Sequence, residues 1–390
     1  MDNEPVERKR AAAILGIGTA VPAYRLDQHE VSGRLSDALR DNLDSMRWAK
    51  RIFKQCGVDT RYTCEADLLE PAEQCRYFPT GPKDGVPATR ERMEKYKQAS
   101  IPLAFEAAVR ALEDSHTQPS EITHLITVSC TGQFLPGLDA ALTVRLGLSP
   151  HLQRIPLQFL GCAAGLRAVC LSKQLVSDLP GIKVLVVCVE LCTLHIQPSG
   201  TREALFGASF FGDGASACVI GLPETRHRRL FELGEEHTAL LPDSADEMVW
   251  EVGNTGFDLY LSPNIPKLLG RFLPQELSLL LRDGVLPELW AIHPGGRGII
   301  DTLQELFRLS EEQTRPSRST LRDYGNMSSA TLLFVLDAIR REQEASAQGS
   351  ESRSGVALAF GPGVTAEMIR LTYCPAGSLT EAGALEKAHV

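Results

Sequence analysis

Apolar residues along this 390-residue chain follow two rhythms. Short, nearly continuous apolar runs predict buried strands at Ala12–Ile17, His124–Ser129, Ile182–Val189, Ala215–Ile220, Leu289–Ile292 and Val356–Phe360. Apolar positions three and four apart predict helices over Ala99–Leu112, Gly165–Val176, Ile299–Phe307 and Ala330–Arg340. Polar stretches at Thr80–Thr89, Leu309–Ser319 and Ala345–Gly355 predict loops, and the patternless tail after Pro375 is expected to fray. Strands alternating with helices indicate α/β architecture around a buried sheet.

The pattern echoes itself. A strand ends at Cys130, and 32 residues later Cys162 lies at a strand-to-helix turn. Another strand ends at His293, and 33 residues later Asn326 also opens a helix. The separations from Cys130 to His293 and from Cys162 to Asn326 are 163 and 164 residues. Two similar halves, 1–225 and 226–390, account for this, and stacking them about a pseudo-twofold brings Cys162, His293 and Asn326 together. Chance is the plainer alternative, because any α/β chain repeats strand–turn–helix units.

Cys162 is the most informative single residue. Ile155–Leu160 before it reads as a buried strand, and Leu166, Val169, Cys170 and Leu175 after it have helical spacing. The Gly-Cys-Ala-Ala-Gly turn then places the sulfur at a helix N-terminus, where free N–H groups and the dipole favour a thiolate. A lone buried cysteine is otherwise structural. His293 ends a strand before Pro-Gly-Gly, whereas His116, His151, His227 and His237 are read in polar loops. Asn326 also suits a helix N-cap. A thiolate held by an imidazolium forms an acyl-enzyme from a thioester. Imidazole and amide donors then stabilise the enolate oxygen formed when a malonyl thioester loses CO₂.

Composition narrows the class. Apolar residues are 43% and charged residues 23%, as in a globular protein, and a net charge of −9 argues against nucleic acid as a main partner. The ten cysteines form no CxxC pair and show no metal-ligand spacing, which suits reduced thiols in the cytoplasm and no metal site. Residues 11–22 read as a first strand entering a Gly-rich turn at Gly16 and Gly18 rather than as a signal peptide, and no run predicts a membrane span. Gly16-Ile-Gly18 and Gly212-Asp-Gly214 lack the full dinucleotide-binding spacing.

Five motifs, Gly161-Cys-Ala-Ala-Gly165, Phe210-Phe-Gly-Asp-Gly-Ala215, Ile292-His-Pro-Gly-Gly296, Tyr324-Gly-Asn-Met-Ser-Ser329 and Phe360-Gly-Pro-Gly363, resemble in order those of the type III polyketide synthases. The resemblance to this chalcone-synthase-like branch of the thiolase superfamily runs from about Leu15 to Leu371. It implies the duplicated αβαβα thiolase-like fold, a homodimer, and CoA thioesters as substrates without a further cofactor. Cys162 becomes the nucleophile, and His293 and Asn326 the decarboxylation and oxyanion pair. Phe211 and Phe257 match the gatekeepers between CoA tunnel and cavity, although core packing also explains an isolated Phe211. Cys130, Thr131, His195, Met248 and Ser328 match cavity-lining positions. Lys50, Arg51 and Lys54 occupy the place of CoA phosphate contacts, though a basic helix face is also an ordinary solvated one, and Gly295 and Gly296 fall in the pantetheine region. His195, Cys130 and Glu190-Leu-Cys-Thr193 look more like bacterial or fungal members than plant chalcone synthases, which points to an aliphatic starter. Two alternatives stay open: an initiating β-ketoacyl-ACP synthase making one condensation, and a catalytically silent scaffold.

Overall fold

Thirteen strands and ten α-helices are seen in a computed structural model, which describes residues 11–80, 85–178, 181–224, 229–346 and 351–375. The first half contains β1 (Ala13–Ala20), β2 (Tyr24–Asp27), α1 (Gln28–Ala38), α2 (Leu43–Gln55), β3 (Thr60–Thr63), α3 (Thr89–Asp114) and β4 (His124–Ser129). It continues through α4 (Leu138–Arg145), β5 (Gln153–Gln158), α5 (Ala164–Asp178), β6 (Lys183–Leu191), α6 (Arg202–Phe210) and β7 (Asp213–Gly221). The second half contains β8 (Phe231–Leu240), β9 (Met248–Gly253), β10 (Gly256–Leu261), α7 (Ile265–Leu280) and β11 (Leu289–Ile292). It ends with α8 (Arg297–Phe307), α9 (Glu311–Tyr324), α10 (Thr331–Ala345), β12 (Arg353–Gly361) and β13 (Thr365–Tyr373).

Nine strands form one sheet in the order β11-β12-β13-β8-β1-β7-β6-β4-β5. From the central β1–β8 pair, each half runs outward through two antiparallel pairings and then a parallel one. The strand series β1-β7-β6-β4 is therefore repeated by β8-β13-β12-β11. Cys130, just past β4, and His293, just past β11, occupy equivalent positions. Among the described residues the second half has no counterpart of β5.

Helices α5 and α10 share one apolar core with strands of both halves. On the opposite faces, α3 and α4 cover the first half, and α7 and α8 cover the second. This is the αβαβα layering of a thiolase-like fold. Strands β4, β6 and β7 are buried almost throughout, which is why they read as unbroken apolar runs. Each fully buried Leu, Ile or Val there contributes about 1.5–3 kcal/mol.

Four local expectations are corrected. Gly16 and Gly18 lie inside β1 rather than in a turn: a Cβ on Gly18 would sit 2.2 Å from the Ala107 carbonyl oxygen, so these glycines let α3 press onto the strand. The segment before Cys162 is not buried but forms the sheet edge, with Gln158, Phe159 and Leu160 exposed in a single chain. Leu309–Ser319 is helical, because Ser310 and Gln313 form a capping box and α9 buries the small polar residues Thr314, Ser317 and Thr320, which hydropathy overlooks. His237 lies in β8, bonded to Glu276 at 2.7 Å, rather than in a loop. The whole tail after Pro375, His227, and parts of the 80–89 and 345–355 segments lie outside the described residues.

Candidate active site

Cys162 follows β5 through a tight turn in which Phe159 and Gly161 take left-handed φ values of 57° and 65°. Its thiol stands on the short 3₁₀ turn Gly161–Ala163 that opens α5, so the expected strand–turn–helix placement is present. This turn is also where the two halves touch. A Cβ on Gly161 would lie 2.2 Å from the Pro362 ring, and one on Gly165 would lie 2.2 Å from the Ser329 carbonyl oxygen. Glycine at both positions therefore allows two motifs of the second half to reach the nucleophile.

His293 is fully buried at the end of β11, its backbone N–H donating to Leu358 at 2.8 Å. Neither ring nitrogen has a protein partner, so both remain available to a ligand. Asn326 sits in the loop between α9 and α10, fixed by N–H donation to Phe210 at 2.8 Å and by acceptance from Gly212 N–H at 3.0 Å. Its Oδ1 accepts from Ser328 N–H at 2.8 Å, while its Nδ2 donates to Gly295 at 3.4 Å. It does not cap a long helix, since α10 begins only at Thr331. Ser328 and Asn326 are polar neighbours that favour the ionised form of the Cys162 thiol.

Burial pushes the half-buried Cys162 thiol up to about 11, against the donors Ser328 and Asn326, and pushes His293 down to about 3. Desolvation is the largest influence on this thiol and opposes the thiolate that a helix N-terminus favours.

These three residues line one cavity of about 120 Å³, together with Cys130, Phe211, Met248, Ser328 and Gly295 from the expected set. Phe159, Trp250, Ile299 and Pro362 complete much of the wall without having been singled out in the sequence. Phe257 and His195 instead line an adjoining pocket of about 40 Å³ that shares Phe211, Trp250 and Leu259 with the first. His195 accepts from Phe257 N–H at 3.0 Å through Nδ1, so its Nε2 donates to the Thr131 carbonyl at 2.7 Å. Its ring stacks on Phe257 at 4.3 Å, and burial holds its pKa down to about 3. Thr131 lies behind the wall, Gly296 precedes α8, and Lys50, Arg51 and Lys54 are exposed on α2; none of these five lines either pocket.

Sequence reasoning also missed the role of Glu190, fully buried at the end of β6. Its carboxylate accepts from Cys130 N–H at 3.1 Å, from the Thr131 hydroxyl at 2.7 Å and from the Ser329 hydroxyl. Burial raises its pKa despite these donors. Its signal in the sequence was an acid closing an otherwise apolar strand. Among the described residues no group of three His, Cys, Asp or Glu side chains could hold a metal ion, and no helix is long and apolar enough to cross a membrane.

Comparison with known proteins follows this geometry closely. Residues 3–223 match the family model "Chalcone and stilbene synthases, N-terminal domain", and residues 232–375 match the corresponding C-terminal domain. Type III polyketide synthase C of Arabidopsis thaliana is 32% identical over 370 residues, covering 91% of this chain and 94% of that protein. Probable polyketide synthase 1 of Dictyostelium discoideum is 29% identical over 91% of this chain, which spans only 11% of that protein's length. Among solved structures, the C-terminal type III polyketide synthase domain of Steely1, a type I/III hybrid from Dictyostelium, superposes with a TM-score of 0.84 at 27% identity, covering 93% of this chain and 99% of that one. PKS-I from the brown alga Ectocarpus siliculosus superposes with a TM-score of 0.85 at 27% identity, covering 95% of this chain and 100% of that one.

Proposed function

The chain belongs to the chalcone and stilbene synthase family, the type III polyketide synthases, and from that premise we propose that it loads an acyl-CoA starter on Cys162 and extends it with malonyl-CoA. The observation that carries this reading is one cavity joining a thiol from the first half to an imidazole without a hydrogen-bond partner among the described residues and a positioned amide from the second. The Cys162 sulfur gives its proton to His293 and attacks the starter thioester, expelling CoA and forming the acyl-enzyme. Malonyl-CoA then places its thioester oxygen against His293 and the Asn326 amide. Loss of CO₂ leaves an enolate on that oxygen, and its carbon attacks the acyl-enzyme carbonyl and releases the Cys162 sulfur. Repetition builds a poly-β-keto chain that cyclises to a pyrone, resorcinol or phloroglucinol-type product.

The wall of Phe211, Met248, Trp250, Leu259 and Ile299 favours an aliphatic starter over a polar one. His195 and Cys130 support the closer kinship with bacterial or fungal members. Phe211 and Phe257 act as gatekeepers, and Thr131 shapes the cavity from behind through Glu190. Lys50, Arg51 and Lys54 take the CoA phosphates, and Gly295 with Gly296 lies along the pantetheine arm. Gly57, just past α2, faces the Arg297 side chain at the start of α8, which puts the basic helix and the glycine loop on one side of the molecule. The halves divide at 1–225 and 226–390, and the working unit is a cytoplasmic homodimer. The exposed β5 edge supports a second copy of the chain, with Leu135, Val144 and Leu160 open to solvent nearby at 92%, 83% and 48%.

Incubation with malonyl-CoA and a panel of acyl-CoA starters, with products read by mass, tests this reading. Multiply extended, cyclised products are expected. A requirement for malonyl-ACP with release of only a diketide would instead make the chain an initiating β-ketoacyl-ACP synthase.

A further inference from the structure

Behind the cavity, two loops from opposite halves are laced together. Besides the two backbone bonds of Asn326 to Phe210 and Gly212, the short strand β3 runs against the end of α9. Asp59 N–H donates to Arg322 at 2.8 Å, the Thr60 hydroxyl donates to Asp323 at 2.7 Å, and the Tyr62 ring stacks on Tyr324 at 6.0 Å. Arg61 lies at the centre of this contact and is fully buried. Its Nη1 donates to the Phe211 carbonyl at 3.0 Å. Its own Cβ is 3.1 Å from where a Cβ on Gly212 would stand and 3.4 Å from that of Gly325, so it fills the space behind both loops.

For stability alone, an arginine here is a poor choice. Among the described residues Nε and Nη2 have no hydrogen-bond partner, the Phe53 ring lies 5.8 Å from the guanidinium carbon, and burial draws the guanidinium down to about 10 despite the nearby Asp213. Unsatisfied buried donors of this kind destabilise a fold, and replacing buried charges by apolar groups of similar size is often neutral or stabilising. What the residue does supply is a rigid fork reaching the carbonyl of one cavity-lining residue while its stem backs the glycine before another.

We propose that Arg61 is a positioning residue that holds Phe211 and Asn326 at a fixed separation, so that the Asn326 amide meets the thioester oxygen of the extender. This rests on the malonyl-CoA chemistry proposed above. The test is Arg61→Met, which keeps the stem and removes the fork, alongside Arg61→Lys, which keeps the charge. For Arg61→Met, kcat for malonyl-CoA decarboxylation is expected to fall on the order of 10²-fold with KM little changed, the scale of a displaced catalytic group. Acylation of Cys162 by a starter acyl-CoA should stay within about twofold of wild type, since neither loop carries the nucleophile. Arg61→Lys should recover part of the loss. Hydrogen exchange should rise in peptides covering 209–213 and 323–328 but not in those covering α5. Parallel loss of decarboxylation and acylation, or unchanged exchange in both loops of either folded variant, overturns the proposal. A wild-type protein that never decarboxylates malonyl-CoA overturns the proposed function instead, while the exchange measurement still decides the role of Arg61.

Discussion

Cys130 and His293 stand at equivalent ends of equivalent strands, yet their surroundings differ in kind. Cys130 is tied into a polar bed: its N–H reaches Glu190, its sulfur reaches Ser328 at 3.1 Å, and Thr131 and Ser329 complete the carboxylate's shell. His293 has the same kind of backbone support, and among the described residues its ring nitrogens have no hydrogen-bond partner. A satisfied group becomes part of the wall, whereas an unsatisfied one keeps its full hydrogen-bonding capacity for what enters the cavity. The duplicated architecture supplies two similar positions, and the neighbouring side chains divide structure from chemistry between them.

The largest expected effect tests the premise that this cavity is catalytic at all. Cys162→Ala should abolish polyketide release while leaving the thermal melting temperature near that of wild type, and retained turnover would displace the nucleophile. His293→Gln should lower malonyl-CoA decarboxylation by about 10²–10³-fold, the value of a lost oxyanion donor. In that variant the pH midpoint for alkylation of Cys162 by iodoacetamide should lie above that of wild type, because the imidazole that would take the sulfur's proton is gone. Equal midpoints would show that the imidazole does not take the sulfur's proton.

A smaller effect concerns stability. His293 and His195 have folded pKa values of about 3 against an ordinary 6.5, so the native state favours their neutral forms. Their contribution is therefore present above about pH 6.5 and is lost as pH falls towards 3, by up to about 1.4 kcal/mol per pH unit for each group. Urea unfolding across that range should show the slope, and His195→Gln should flatten it. The smallest effect is expected at the wall: Cys130→Ala should cost about 1 kcal/mol and leave decarboxylation within roughly tenfold of wild type. A loss as large as that of His293→Gln would erase the distinction between the two strand ends.

How much of this was legible in the sequence differs residue by residue. β4 and β11 were predicted at their observed ends, because both are short, apolar and bounded by polar residues. The nearly equal spacings of Cys130–His293 and Cys162–Asn326 anticipated the repeated strand order. Helix α9 was invisible because its buried face is made of Thr, Ser and Pro, and β5 was misjudged because an edge strand can carry as much apolar character as a buried one. Glu190 and Arg61 escaped notice for a related reason: a single charged residue in a strand does not reveal whether it meets solvent or a buried partner.

Local pattern thus determined the strand–helix alternation, the duplication and the choice of Cys162, His293 and Asn326 as candidates, since these depend on periodicity and on motifs only a few residues long. The tertiary structure alone decided which lining residues share the main cavity and which fall in the adjoining pocket. It also decided that His293 lacks a partner while Cys130 has several, and that Arg61 stands behind both loops. Those outcomes depend on contacts between segments more than 100 residues apart, such as Arg61 with Phe211, Ser329 with Glu190 and Pro362 with Gly161. Burial, which exists only once those segments meet, then sets the protonation of every group in the site.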